Sequence, residues 1–190
     1  MANGEWRMAN GEWRMANGEW RMANGEWRMA DFPVEGILFK DITTLLKDSA
    51  AMRVTIDRLV NYARSKNVDV IIGIESRGFM FGMPMAYQLG CGFVPVRKPG
   101  KLPAETIQES YTLEYGTNIL EIHVDAIEKG QRILIVDDLL ATGGTALATC
   151  KLVRRLGGEI VGTAFVIELT FLNGRDQLDG CDVFSLMKFD

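Results

Sequence analysis

Ile133-Leu134-Ile135-Val136-Asp137-Asp138-Leu139-Leu140-Ala141-Thr142-Gly143-Gly144-Thr145 is the stretch on which the reading of this chain turns. Four β-prone apolar residues run without alternation into two adjacent carboxylates. An unbroken apolar run of that kind predicts a strand buried on both faces, as in a parallel sheet. Asp137 and Asp138 then sit at the carboxyl end of the strand, the edge where open α/β sheets hold their ligands. The small residues Ala141 to Thr145 form a loop entering a helix predicted over about Thr145 to Leu156. Glycines let backbone N–H groups converge on an anion, and a helix N-terminus adds a favourable dipole. Thr142 and Thr145 can add hydroxyl donors. Acids beside a phosphate cradle suit a polyol next to a phosphate, as in a ribose 5-phosphate.

Three other readings meet the same residues. An ordinary strand–turn–helix with solvated aspartates is the plain one, and the whole string is more specific than that. A nucleoside triphosphatase also ends an apolar strand in Asp, but it needs a Gly-x-x-x-x-Gly-Lys-Ser/Thr loop, which the sequence lacks. A dinucleotide-binding fold needs Gly-x-Gly-x-x-Gly after an early strand, also absent.

Val136 to Thr145 resembles the phosphoribosyl pyrophosphate (PRPP) signature of type I phosphoribosyltransferases, and within them the adenine-specific branch. The resemblance spans about Asp31 to Asp190. It implies an α/β fold: a mainly parallel twisted sheet flanked by helices, with a small hood and a flexible loop. It also implies that Asp137 and Asp138 hold the ribose hydroxyls, and that Ala141, Thr142, Gly143, Gly144 and Thr145 hold the 5-phosphate.

Outward from this motif, residues 1–28 are four copies of Met-Ala-Asn-Gly-Glu-Trp-Arg. Glycine costs a helix ~1 kcal/mol relative to Ala, and Met and Trp five apart do not share a helix face. Asn-Gly favours turns instead. The segment reads as a tag or placeholder outside the fold; units of seven residues are too short for a solenoid. All four Trp lie there, and its Glu and Arg cancel, so the net charge of −4 belongs to the rest. Residues 29–190 are expected to form one domain, large enough to bury a core. No apolar run reaches about 18 residues, and no secretory signal is visible. Mild acidity argues against general nucleic-acid binding. Cys91, Cys150 and Cys181 show no metal spacing and read as buried free thiols in a reducing cytosol.

Helical spacing of Met52, Ile56, Leu59, Val60 and Ala63 predicts a helix over Asp48–Lys66, capped by Asp48 or Ser49. Strands are predicted over Val68–Ile74, Gly92–Val96, Ser110–Tyr115, Thr117–Val124, Ile160–Leu169 and Val183–Leu186. A helix over Gly78–Leu89 is closed by Gly90. Lys98 to Glu109 reads as a long mobile loop, and the strands around Gly116 as a hairpin. Strands alternating with helices imply a mainly parallel sheet with helices on both sides.

Arg77, in the turn Glu75-Ser76-Arg77-Gly78, can donate two parallel hydrogen bonds to phosphate oxygens, or simply pair with a nearby acid. Arg97, Lys98 and Lys101 form either a solvated charged loop or a lid that neutralises a dense anion. The resemblance assigns Arg77 and these three cations to pyrophosphate, and Glu114 to proton exchange with the purine ring. Gly36–Ile42 and Glu168–Thr170 read as core packing from the residues alone. The resemblance implies that Phe39, Lys40 and Leu169 enclose adenine, with Lys40 standing where many relatives carry Arg. His123, the single histidine, has no partner in sequence for a triad or metal site.

The reaction so implied is transfer of the 5-phosphoribosyl group from PRPP to adenine, giving AMP and pyrophosphate in purine salvage. Mg²⁺ would be held mainly through PRPP and pyrophosphate, with no protein-only metal site. A cytoplasmic homodimer without nucleic-acid or membrane partners completes the expectation. Another purine phosphoribosyltransferase (xanthine or hypoxanthine/guanine) and a non-catalytic PRPP-binding regulator are the alternatives.

Overall fold

The computed structural model describes residues 13–16, 19–22, 28–29, 39–40, 42–112 and 117–190, with side chains over 42–111 and 118–190. The chain divides into two compact units, Met1–Arg53 and Val54–Asp190.

In the first unit, β1 (Trp13–Ala16) pairs antiparallel with β2 (Glu19–Met22). Strands β3 (Arg28–Met29) and β4 (Phe39–Lys40) also pair antiparallel. A short helix α1 (Thr43–Lys47) follows, which the sequence patterning does not reveal. The expected hood lies mostly outside the described residues. Helix α2 (Ser49–Arg64) starts where Asp48 Oδ1 accepts the N–H groups of Ala50 and Ala51, both at 2.9 Å, which satisfies two orphan donors of the first turn. Ile56, Leu59, Val60 and Ala63 are buried along it.

The second unit is built on a five-stranded sheet in the order β11–β10–β9–β5–β6, every neighbouring pair parallel. Its strands are β5 (Val70–Ile74), β6 (Gly92–Val96), β9 (Arg132–Leu140), β10 (Glu159–Leu169) and β11 (Val183–Phe189). Ile133, Leu134, Ile135 and Val136 are all fully buried, as an unbroken apolar run requires. Helix α4 (Gly144–Arg155) covers the face carrying Ile133, Ile135 and Phe165. Helix α3 (Gly78–Leu89) lies on the other, where Gly82 meets Ile71 and the Phe93 ring. Gly90 closes α3 in the left-handed conformation, φ 69°. Tyr62 of α2 stacks on Phe184 of β11, ring centroids 4.4 Å apart.

Three expectations are corrected. The stretch expected to be a mobile loop up to Glu109 is loop only to Glu105, because β7 (Thr106–Thr112) pairs antiparallel with β8 (Thr117–His123). Ile107 and Tyr111 alternate onto the core from β7, a period-2 signal masked in the sequence by the polar residues between them. Strand β9 continues through Leu140, so the two aspartates lie within it rather than beyond it. Of the three cysteines, all free, only Cys150 is buried; Cys91 and Cys181 are partly exposed. Two short 3-10 turns, Thr170–Leu172 and Gly174–Leu178, fill the connection from β10 to β11.

Candidate active site

Chain order gives the sheet a switch point. From β5 the chain steps outward to β6, and then returns to lay β9, β10 and β11 on the opposite side of β5. The crevice between the carboxyl ends of β5 and β9 is therefore where a ligand has room in an open α/β sheet. The register defines it closely. Val136 is the last β9 residue paired with β5, opposite Gly73. Beyond it β9 pairs only with β10, Phe165 opposite Asp137 and Leu139 opposite Ile167. Asp137 and Asp138 thus occupy the strand edge that β5 has just vacated.

Asp138 is 4 % exposed, and Arg77 Nε stands 2.9 Å from its Oδ2. The contact is an ion pair by distance, without the N–H alignment of a hydrogen bond at that oxygen. The partly buried Asp137 accepts the Asp138 N–H at 2.9 Å. Burial pushes the Asp137 carboxyl well above the usual range, and the adjoining Asp138 charge adds to it. Burial raises Asp138 too, against the pull of Arg77.

The turn that carries Arg77 is set by close packing. A Cβ at Gly78 would stand 2.6 Å from the Val136 carbonyl oxygen and 3.1 Å from Asp137 Oδ1, so only glycine lets α3 begin against β9 here. On the β9 side, Gly143 adopts φ 85° and precedes the first turn of α4. No side chain caps α4, and its first internal bond runs from Leu147 N–H to the Gly143 carbonyl at 2.9 Å. The N–H groups of the preceding turn have no intrahelical acceptor and are donors for an anion.

The cationic stretch leaves the same rim. Arg97 follows β6 and bridges Glu121 of β8, backbone to backbone at 3.0 and 2.7 Å. Its guanidinium meets Glu75 at 3.2 Å, and Glu75 also accepts the Lys98 N–H at 2.9 Å. Partial burial raises the Glu75 carboxyl, but these partners outweigh it and hold it below the ordinary value. The buried Glu121 accepts the Gly100 N–H at 3.0 Å and Gln108 Nε2 at 2.6 Å. Lys98 and Lys101 are exposed. Sequence reasoning did not find Glu75 or Glu121 as anchors of this loop; both became visible only through their pairings.

Leu169 ends β10 and is 8 % exposed. Its neighbour Glu168 turns to Arg175, which donates Nε to Oε1 at 2.9 Å and Nη2 to Oε2 at 2.6 Å. The fold thus gathers Arg77, Arg97, Lys98, Lys101, Asp137, Asp138, residues 141–145 and Leu169 at the carboxyl ends of parallel strands. Phe39 and Lys40 are described as backbone of β4 only, and Glu114 lies outside the described residues. Among the described residues no group of three or more His, Cys, Asp or Glu side chains is placed to hold a metal ion.

The parallel sheet thus sets paired acids beside a helix N-terminus at its switch point, the position where open α/β sheets bind their ligands. The phosphoribosyl transferase domain profile matches residues 42–184. Adenine phosphoribosyltransferase of Clostridium botulinum is 60 % identical over 159 residues, 84 % of this chain and 92 % of that one. The crystal structure of adenine phosphoribosyltransferase from Thermoanaerobacter pseudethanolicus superposes with a TM-score of 0.83 at 57 % identity, covering 85 % of this chain and 94 % of that one. The Saccharomyces cerevisiae enzyme, complexed with adenine and an imino-altritol bisphosphate, gives a TM-score of 0.79 at 43 % identity over 84 % of this chain and 93 % of that one. The chain belongs to the phosphoribosyltransferase family, and within it to the adenine phosphoribosyltransferases.

Proposed function

We propose that this chain transfers the 5-phosphoribosyl group of PRPP to adenine, forming AMP and releasing pyrophosphate. The observation that carries the reading is the pair Asp137–Asp138 beside the open N-terminus of α4, with Arg77 facing it across the switch point. The aspartates bind the ribose hydroxyls. As the bond from the anomeric carbon to pyrophosphate breaks, positive charge develops on the sugar, and desolvated carboxylates stabilise it more strongly than acids in water would. The loop 141–145 holds the 5-phosphate through its N–H groups and the hydroxyls of Thr142 and Thr145. Arg77, Arg97, Lys98 and Lys101 take the leaving pyrophosphate. Adenine loses a ring proton as the glycosidic bond forms, and Glu114 is assigned to receive it. Phe39, Lys40 and Leu169 are assigned to the base.

Mg²⁺ would be held mainly through the phosphates of PRPP and pyrophosphate rather than by side chains of this chain, and would supply neutralisation of phosphate charge. The chain is further proposed to act as a cytoplasmic homodimer. Support for the dimer comes from Met80, Met83 and Tyr87, which are 42, 51 and 88 % exposed on α3. They recur at helical spacing and form an apolar stripe. Among the described residues no helix is long and apolar enough to cross a membrane. Residues 29–190 are proposed as one catalytic domain, following a tag or placeholder at 1–28.

The test is product formation from PRPP with adenine, hypoxanthine and xanthine in parallel. AMP with pyrophosphate release is expected from adenine. Turnover of another purine in its place would redirect the reading to that base, and PRPP binding without pyrophosphate release would make the chain a regulator. A Glu114→Gln variant is expected to lose most of kcat; an unchanged rate would remove Glu114 from the mechanism.

A further inference from the structure

The connection from β10 to β11 touches the phosphate loop backbone to backbone. A Cβ on Gly174 would lie 2.0 Å from the Ala141 carbonyl oxygen and 2.8 Å from the Gly143 nitrogen. A Cβ on Gly143 would in turn lie 2.3 Å from the Gly174 carbonyl oxygen. Two chain segments this close leave no slack, so the course of the phosphate loop follows the position of Gly174.

Gly174 is itself held from the sheet. The next residue, Arg175, grips Glu168 with two parallel hydrogen bonds and donates Nη1 to the Val183 carbonyl at 2.8 Å. Glu168 is 4 % exposed and also accepts the Ser185 hydroxyl. The Arg175 hydrogen bonds are the foremost reason the Glu168 carboxyl is held below its ordinary value. At the other end of the turn, the 2 % exposed Leu178 enters the core with Ala146 and Ala148 of α4. The segment is a bracket from the ends of β10 and β11 to the phosphate loop, and none of the roles assigned above uses it.

We infer that Arg175, gripped by Glu168, is a positioning residue for the 5-phosphate site. It holds Gly174 against Ala141–Gly143 and so keeps the loop's N–H groups aimed at one point. Partners one layer behind binding groups commonly govern affinity in this way. The inference deepens the proposed function and rests on residues 141–145 binding the 5-phosphate.

The experiment is steady-state AMP formation with PRPP and adenine varied separately, in wild type, Arg175→Gln, Arg175→Lys and Gly174→Ala, with folding checked by circular dichroism. Arg175→Gln is expected to raise the KM for PRPP about tenfold while the KM for adenine stays within about twofold. Arg175→Lys keeps the charge without the planar fork and falls between. Gly174→Ala leaves the ion pair intact and raises the PRPP KM in the same selective way. Folded variants with a wild-type PRPP KM, or with both KM values rising together, would overturn the inference. Should Arg175→Gln or Gly174→Ala not fold, Arg175→Lys decides by the same comparison. If wild type forms no AMP, the functional reading has failed instead. Calorimetric affinity for ribose 5-phosphate in wild type and the variants then decides, and equal affinities would sink the positioning role.

Discussion

Arg77 Nε lies 2.9 Å from Asp138 Oδ2, joining the loop after β5 to the part of β9 that no longer pairs with β5. Arg77, proposed for the pyrophosphate of PRPP, and Asp138, proposed for the ribose that carries it, are each other's partner. The Arg77 charge therefore bears directly on the Asp138 carboxyl.

That pairing predicts a pH effect. Burial raises the Asp138 carboxyl and Arg77 pulls it down. Removing the guanidinium in Arg77→Ala takes away the largest influence opposing burial, so the carboxyl rises further. The acid limb of kcat/KM for PRPP is expected to move to higher pH in the residual activity of Arg77→Ala. A limb at the wild-type position would show that Asp138 does not titrate in that profile.

Asp137→Asn separates function from stability. Loss of the carboxylate is expected to lower kcat/KM for PRPP by about 100-fold, the scale of removing one preorganised electrostatic group. The folded carboxyl is raised above its unfolded value, so its ionised form weakens the fold as pH rises past the unfolded value. Asparagine removes that penalty and keeps an oxygen for the Asp138 N–H. The variant's melting temperature should match or exceed wild type at pH 7, with the gain shrinking toward pH 4. A clear loss of stability at neutral pH would contradict the burial argument.

Gly78→Ala tests the junction of α3 with β9. The added Cβ would meet the Val136 carbonyl oxygen at 2.6 Å, a backbone atom that cannot swing aside. A loss of about 1–3 kcal/mol in unfolding free energy is expected from overpacking, read by urea titration. Wild-type stability would mean that α3 can shift without cost.

Glu168→Gln probes the bracket by acid titration. Glu168 is held below its ordinary value of 4.5. Its contribution is therefore fully present above that pH and lost as pH falls through the lower folded value. The melting-temperature difference between wild type and Glu168→Gln should be constant from neutral pH down to about 5 and close below 4.5. A difference that persisted at pH 2 would come from packing rather than charge.

Much of this was legible in one dimension because the signals were local. Ile133 to Val136 carry their own burial pattern, Gly78–Leu89 carries helix spacing with a glycine stop, and Asp137 to Thr145 are contiguous, so strand, acids and phosphate loop are read together. The hairpin around Gly116 was legible, but its first strand begins at Thr106 rather than Ser110: polar residues separate Ile107 from Tyr111, and only packing against the sequence-distant core shows that both face inward.

The sequence by itself determined the parallel α/β class and the acid-plus-glycine loop at a strand end, since each depends on short-range periodicity or adjacency, while the remaining candidate residues rest on the family resemblance. Only the tertiary structure decided how they combine. It put the switch point between β5 and β9, paired Arg77 with Asp138 and Arg97 with Glu75, and brought Gly174 against Ala141. Those contacts join residues 22 to 61 positions apart, or 33 in the last case. Strand order and loop packing create them, and no local preference encodes either.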